Sequence, residues 1–259
     1  MTPDEAAIQV RDVSHQFGEA GDARRVQALQ DTSLDVARGE LLCLIGPSGC
    51  GKSTLLNVMG GLITPTTGTA TVSGKPVRGP MPNDIAFIFQ ENALFPWNTI
   101  FENVMLGMVF QGVPKATRAD RAHRALAAVG LTDFAEHYPS QLSGGMRQRA
   151  ALARALSLET DILLMDEPFA ALDEQTRMTM GHELLRIWSQ TSKTVVFITH
   201  SLTEAVYLAD EVVVLSARPG RILDTVEINL PRPRTYEMMA TDVFGRLRER
   251  IWHQIRSTA

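Results

Sequence analysis

Short, wholly apolar runs alternate along this chain with longer stretches in which apolar residues recur every three or four positions. Leu41-Leu42-Cys43-Leu44-Ile45, Ile162-Leu163-Leu164-Met165 and Val212-Val213-Val214-Leu215 are apolar without interruption and bounded by polar residues. Such runs suit strands covered on both faces, the habit of parallel sheets. The pattern predicts strands at about Ile8–Phe17, Ser33–Val36, Glu40–Ile45, Thr69–Val72, Ile85–Phe89, Ile162–Met165, Val195–Thr199, Glu211–Leu215 and Arg221–Ile228. Helices are predicted at about Lys52–Gly60, Thr117–Val129, Gly145–Ser157, Glu174–Gln190, Thr203–Ala209 and Tyr236–Arg256. Alternation of this kind is that of an α/β fold with a largely parallel sheet. Between about Glu91 and Ser157 the strand signal vanishes, as expected for a helical subdomain inserted between two strands. In the last predicted helix, Val243, Phe244, Leu247, Ile251, Trp252 and Ile255 share one face, expected to pack on its own domain rather than on a lipid surface.

Composition narrows the picture. The chain has 259 residues, 44% of them hydrophobic and 21% charged, enough to bury a large core. Its net charge of −4 argues against a nucleic-acid partner held by bulk charge. Cys43 and Cys50 form no disulfide framework, which fits a reducing compartment. The start, MTPDEAAIQV, lacks the basic and apolar segments of a secretory leader. No apolar run approaches the ~20 residues a spanning helix needs. Any work at a membrane is therefore expected to run through another protein.

The first chemistry lies after the strand Leu41–Ile45. Gly46-Pro47-Ser48-Gly49-Cys50-Gly51-Lys52-Ser53-Thr54 fits G-x-x-x-x-G-K-[ST] between a strand and a helix. Glycines let successive N–H groups curl around one anion, and the helix N-terminus adds its positive end. Lys52 is placed to reach the β- and γ-phosphates, and the Ser53 hydroxyl to hold Mg²⁺. The loop specifies a nucleoside triphosphate without separating kinases, GTPases and transport ATPases.

Two further motifs separate them. Ile162–Met165 runs into Asp166 and Glu167, at the carboxyl end of a strand, where parallel sheets place ligands. Asp166 is a Mg²⁺ candidate, and Glu167 a candidate to orient and polarise an attacking water. Leu142-Ser143-Gly144-Gly145-Met146 opens the helix that follows, a second set of N–H groups able to hold an anion.

With these motifs in this order, nearly the whole chain resembles the ABC ATPase family, whose signature LSGGQ here ends in Met146. The resemblance implies an ABC-type P-loop NTPase fold: a mostly parallel core, an N-terminal antiparallel β region and an inserted helical subdomain. It divides the single ATPase domain into a core of 1–90 and 158–230, a helical subdomain of 91–157 and a C-terminal tail of 231–259. It also implies ATP and Mg²⁺ as cofactors. Gln90 matches the glutamine that touches Mg²⁺ and water, Asp173 the aspartate at the dimer interface, and His200 the histidine that contacts the γ-phosphate. Phe17 stands where the family has an adenine-stacking aromatic. A second copy of the chain would pair head-to-tail, Ser143 and Gly145 meeting the nucleotide held by the other copy's phosphate loop.

Ala93-Leu94-Phe95-Pro96-Trp97, with Arg218-Pro219-Gly220-Arg221-Ile222 and Leu230-Pro231-Arg232-Pro233-Arg234, resembles the nitrate/sulfonate/taurine importer group. That implies an ATPase on the cytoplasmic face of the plasma membrane, working with an integral membrane permease and, indirectly, a substrate-binding protein. Phe95 and Trp97 fit either subdomain core or an aromatic contact for the permease. The other readings are a soluble ABC ATPase of repair or translation, an exporter's ATPase, an importer ATPase for another cargo, and a small-molecule kinase. The signature and the Asp166-Glu167 pair argue against the kinase.

Overall fold

The computed structural model describes residues 6–18, 25–191 and 193–256; residues 1–5 of the start read for a leader lie outside them. Its elements are β1 (Ala6–Phe17), β2 (Val26–Ala37), β3 (Leu41–Ile45), α1 (Lys52–Met59), β4 (Thr67–Val72), β5 (Lys75–Pro76) and β6 (Ile85–Ile88). There follow α2 (Ile100–Phe110), α3 (Lys115–Ala128), α4 (Gly144–Leu156), β7 (Ile162–Asp166), α5 (Glu174–Thr191), β8 (Thr194–Ile198), α6 (Leu202–Leu208), β9 (Glu211–Leu215), β10 (Ile222–Glu227) and α7 (Asp242–Arg256). They divide into two compact units, Met1–Met81 with Lys193–Ala259, and Pro82–Ser192.

In the first unit β3 lies between β8 and β9, parallel to both, and β10 pairs antiparallel on β9. All five residues of β3 and of β8 are buried, as the apolar runs Leu41–Ile45 and Val195–Ile198 require. The expected antiparallel region is present: β1 pairs with β2 and β4, and β4 with β5. Strand β2 starts well before the predicted Ser33, because Val26–Asp31 pairs with β1 although its polar residues carry little strand signal.

In the second unit β6 and β7 pair in parallel, and α2, α3 and α4 pack on one another. Helix α2 was not predicted. Its apolar residues run around the whole helix, which erases the amphipathic period. A capping box was there to be read: Thr99 Oγ1 accepts from Glu102 N at 3.2 Å and Glu102 Oε2 from Thr99 N at 2.8 Å.

The predicted C-terminal helix is broken. Tyr236–Ala240 is a 3-10 turn, and Thr241 intervenes, its hydroxyl donating to Met238 O and accepting from Phe244 N at 3.4 Å to start α7. Helix α7 packs on α6, β9 and β10 through buried Phe244 and Ile251. Val243 and Trp252 stay exposed, so the buried seam is narrower than the predicted face.

Candidate nucleotide-binding site

The phosphate loop turns between β3 and α1 in the first unit. Gly51, the N-cap of α1, has φ 105°, a left-handed conformation that only glycine adopts at no cost. No side chain caps α1, which leaves its first N–H groups to a ligand. Lys52 is buried, with Nζ donating to the carbonyls of Gly46 and Pro47 at 2.9 Å each and 3.8 Å from Cys50 Sγ. The ammonium thus lies inside the curl of the loop. Pro47 is half-buried, Ser48 and Gly49 are exposed, and Ser53 and Thr54 are half-buried in the first turn of α1.

Backbone walls hold the loop. A Cβ on Gly51 would lie 2.6 Å from the Ala28 carbonyl, and one on Gly220 would lie 2.1 Å from the Cys50 carbonyl. Arg218 Nε donates to Gly49 O at 3.1 Å. The Arg218–Ile222 segment read as a group marker therefore packs directly on the phosphate loop, a role that its sequence did not disclose.

Two more candidates lie in this unit. Phe17 ends β1, 45% exposed and too open for core, with its ring edge-on to His15 at 4.6 Å. Burial lowers the His15 pKa, so this neighbour adds no cation at neutral pH. His200 is exposed just after β8. Its flanks are fixed: Thr199 Oγ1 donates to Glu204 and accepts from Ser201 N at 3.0 Å, and Ser201 Oγ accepts from Glu204 N at 3.3 Å.

The second unit carries Asp166, Glu167, the signature, Gln90 and Asp173. Asp166 is buried at the end of β7, and Glu167 follows, half-buried, with φ 49°. Ser143 caps α4, Oγ accepting from Met146 N at 3.2 Å, while Gly144 and Gly145 supply the first turn. Ser143 is exposed and the two glycines half-buried, open to a ligand. Met146 replaces the usual glutamine without disturbing the cap, since its backbone N–H makes the bond. Asp173 is exposed, and its Oδ1 accepts from Thr176 N at 3.0 Å at the start of α5. Hydrogen bonds from Thr176 lower its pKa and keep it ionised. Gln90 is exposed just beyond β6, and Arg154 of α4 fastens the segment after it, donating to Ala93 O at 2.7 Å and Asn92 O at 3.1 Å.

Phe95 and Trp97 are 38% and 70% exposed, with rings 5.3 Å apart, so neither serves as subdomain core. Buried Asn103 shapes the turn that displays them. Its amide donates to Phe95 O, Asn98 O and Thr99 O at 3.1, 3.1 and 2.9 Å, and accepts from Phe95 N at 2.7 Å. Gln148 is a second buried amide that sequence reasoning missed. It falls on the apolar face of α4 with Ala151, Leu152 and Ala155, where a polar residue is the signal to follow.

The proposed Mg²⁺ donors are a hydroxyl (Ser53), an amide oxygen (Gln90) and one carboxylate (Asp166). That all-oxygen set suits Mg²⁺, which takes one or two carboxylates and otherwise phosphate oxygens and waters. No described helix is long and apolar enough to cross a membrane.

Comparison with known proteins identifies the family. The family described as ABC transporter matches residues 29–170. An uncharacterized ABC transporter ATP-binding protein of Methanocaldococcus jannaschii is 52% identical over 210 residues, 81% of this chain and 78% of that one. The taurine import ATP-binding protein TauB of Pseudomonas aeruginosa is 42% identical over 252 residues, 95% of each chain. The nitrate import ATP-binding protein NrtD of Synechocystis sp. is 42% identical over 255 residues, 96% of this chain and 95% of that one. Among solved structures, the ATP-binding cassette MJ0796, in a dimeric post-hydrolysis state with ADP and Pi, superposes with a TM-score of 0.79 at 30% identity. The match covers 86% of this chain and all of that one.

Proposed function

We infer the function from one established premise: this chain belongs to the ABC transporter family of ATP-binding proteins. It binds ATP and hydrolyses it to ADP and phosphate to energise import through a separate membrane permease. The observation that carries this is the phosphate loop, with Lys52 held inside the curl and the first turn of α1 open to an anion.

In this reading Gly46 to Thr54 cradle the phosphates and Phe17 stacks on the adenine. Ser53, Asp166 and Gln90 hold Mg²⁺, which draws charge from the β- and γ-phosphates when bound. Glu167 accepts a proton from the water whose oxygen bonds to the γ-phosphorus as the bond to the bridging oxygen breaks. His200 donates to the γ-phosphate. Two copies pair head-to-tail, each presenting Ser143, Gly144 and Gly145 to the nucleotide of the other, with Asp173 at the interface. Loss of the γ-phosphate removes the bridge, and the pair opens.

Relatives named for taurine and nitrate import support a small anion or sulfonate-like cargo, taken from a substrate-binding protein on the far side. The exposed Phe95-Pro96-Trp97 turn is read as the contact for the permease, which holds this subunit at the cytoplasmic face. Residues 91–157 are read as the helical subdomain that bears this contact.

The test is Glu167→Gln in the full chain. It is expected to bind Mg-ATP at parental affinity, lose nearly all turnover and accumulate as a nucleotide-bound dimer. When tagged and solubilised from membranes, it is expected to bring down a multi-spanning permease in near-equal amount. Parental turnover would remove Glu167 from its role. A soluble complex without a membrane protein would move the ATPase to a non-transport task.

A further inference from the structure

Gln148 is 3% exposed, one turn inside α4 from the signature, and no step of the hydrolysis just described uses it. Its amide is spent at both ends: Nε2 donates to the Glu167 carbonyl at 3.0 Å and Oε1 accepts from Ala171 N at 3.0 Å. Chemistry fixes the orientation, because a flipped amide would set NH₂ against N–H and oxygen against oxygen. One side chain therefore grips both ends of the turn 167–171, which leads from the carboxylate toward Asp173.

That turn needs holding. Glu167 has φ 49°, a left-handed conformation that strains a non-glycine residue and persists only where its surroundings enforce it. Within the turn, Ala170 N also donates to the Glu167 carbonyl, at 3.2 Å. The internal bond sets the shape of the turn; Gln148 sets its place against α4. A second contact joins the same elements, since a Cβ on Gly145 would lie 3.0 Å from Leu172 Cδ2.

We propose that Gln148 is a positioning residue for hydrolysis, fixing the direction of the Glu167 carboxylate to the helix whose first turn carries the signature. The proposal rests on the roles read above for Glu167 and Ser143. Seating the other copy's γ-phosphate on that first turn is then coupled to the aim of Glu167 at this copy's own nucleotide, and displacement of α4 carries the carboxylate with it. With both ends of its amide bonded to the turn, Gln148 governs turnover and not ATP affinity.

The experiment measures kcat, KM for ATP and direct Mg-ATP binding in the full chain for Gln148→Met and Gln148→Glu. Gln148→Met keeps length and removes both bonds. Gln148→Glu keeps the acceptor for Ala171 N and sets a carboxylate oxygen against the Glu167 carbonyl; it serves if Gln148→Met does not fold. Each is expected to lose about 10- to 100-fold in kcat, the scale of an ångström-level misplacement, with KM and binding within about twofold of the parent. Parental kcat, or a rise in KM matching the fall in kcat, overturns the proposal. Glu167→Gln is run alongside. If it turns over normally the reading of Glu167 is at fault; if it is inactive while Gln148→Met is normal, only the positioning role fails.

Discussion

Gly220 is far from the phosphate loop in sequence, yet the structure makes it intolerant of a single methyl group. A Cβ added there would lie 2.1 Å from the Cys50 carbonyl oxygen. Carbon and carbonyl oxygen approach to about 3.3 Å at closest, so one side must retreat by roughly 1 Å. Gly220 cannot retreat easily: its N–H donates to Ala28 O at 2.9 Å and its carbonyl accepts from Gln30 N at 3.0 Å. The displacement therefore falls on the phosphate loop, at the residue before Gly51. Overpacking of this kind costs about 1–3 kcal/mol, and a 1 Å shift of a catalytic element can cost about 100-fold in rate. Gly220→Ala is thus expected to melt below the parent, bind ATP more weakly and turn over about 100-fold more slowly. Urea unfolding and steady-state ATPase assays read these directly. Gly245→Ala is the control: it lies inside α7 with nothing within 4 Å of the new Cβ, and is expected to gain about 0.5–1 kcal/mol with activity unchanged. A Gly220→Ala protein with parental stability and turnover would refute the close approach.

Burial pushes the Glu40 carboxyl up to about 7, aided by Glu211 and Asp210 and opposed by the Ala37 N–H bond. The folded pKa lies above the ordinary carboxylate value, so from about pH 4.5 to 7 the unfolded chain releases a proton that the folded chain keeps. Stability contributed by this group is present at low pH and lost as pH rises through that window. Glu40→Gln is expected to add about 1–2 kcal/mol at pH 8 and little at pH 4.5, discounted for partial exposure, with urea midpoints at the two pH values as the check. Asn103→Ala leaves the part-buried Phe95 N–H without its side-chain acceptor and frees the turn bearing Trp97. It is expected to lose about 1–3 kcal/mol of stability and most permease co-purification, while Mg-ATP affinity stays parental. Cys50 is buried against Lys52 Nζ at 3.8 Å, so maleimide labelling is expected to be slow, slower still with Mg-ATP, and to abolish nucleotide binding. Alkylated protein that binds ATP normally would contradict this placement.

What could be read from the sequence was whatever depends on local pattern. Strand β3 is wholly apolar, and β7, β8 and β9 each hold four consecutive apolar residues, because both faces are covered; a run of that kind announces itself without reference to the rest of the chain. Gly46–Thr54 and Ser143–Gly145 are equally local, each a turn and a helix start written in consecutive residues. Helix α2 escaped because it is apolar on every side, so no period marks it, and only the Thr99–Glu102 box declared its start. The first half of β2 escaped because its partner strand, not its own composition, makes it a strand.

The parts that hold the candidate site in shape were not legible, for a different reason. Gly220 reads as an ordinary turn glycine until Cys50 is set beside it, and Gln148 shows only as a polar residue on an apolar helix face until its amide meets Glu167 and Ala171. A ligand-facing motif must present several groups to one small anion, and consecutive backbone N–H groups achieve this most simply; such sites stay compact in sequence. A supporting contact has no such constraint, since any residue that folding brings near can supply it. Sequence order therefore discloses what meets the nucleotide more readily than what aims it. A buried amide on an apolar helix face is the trace that aiming leaves behind: its burial costs stability unless both ends are bonded, so its presence points to partners worth finding.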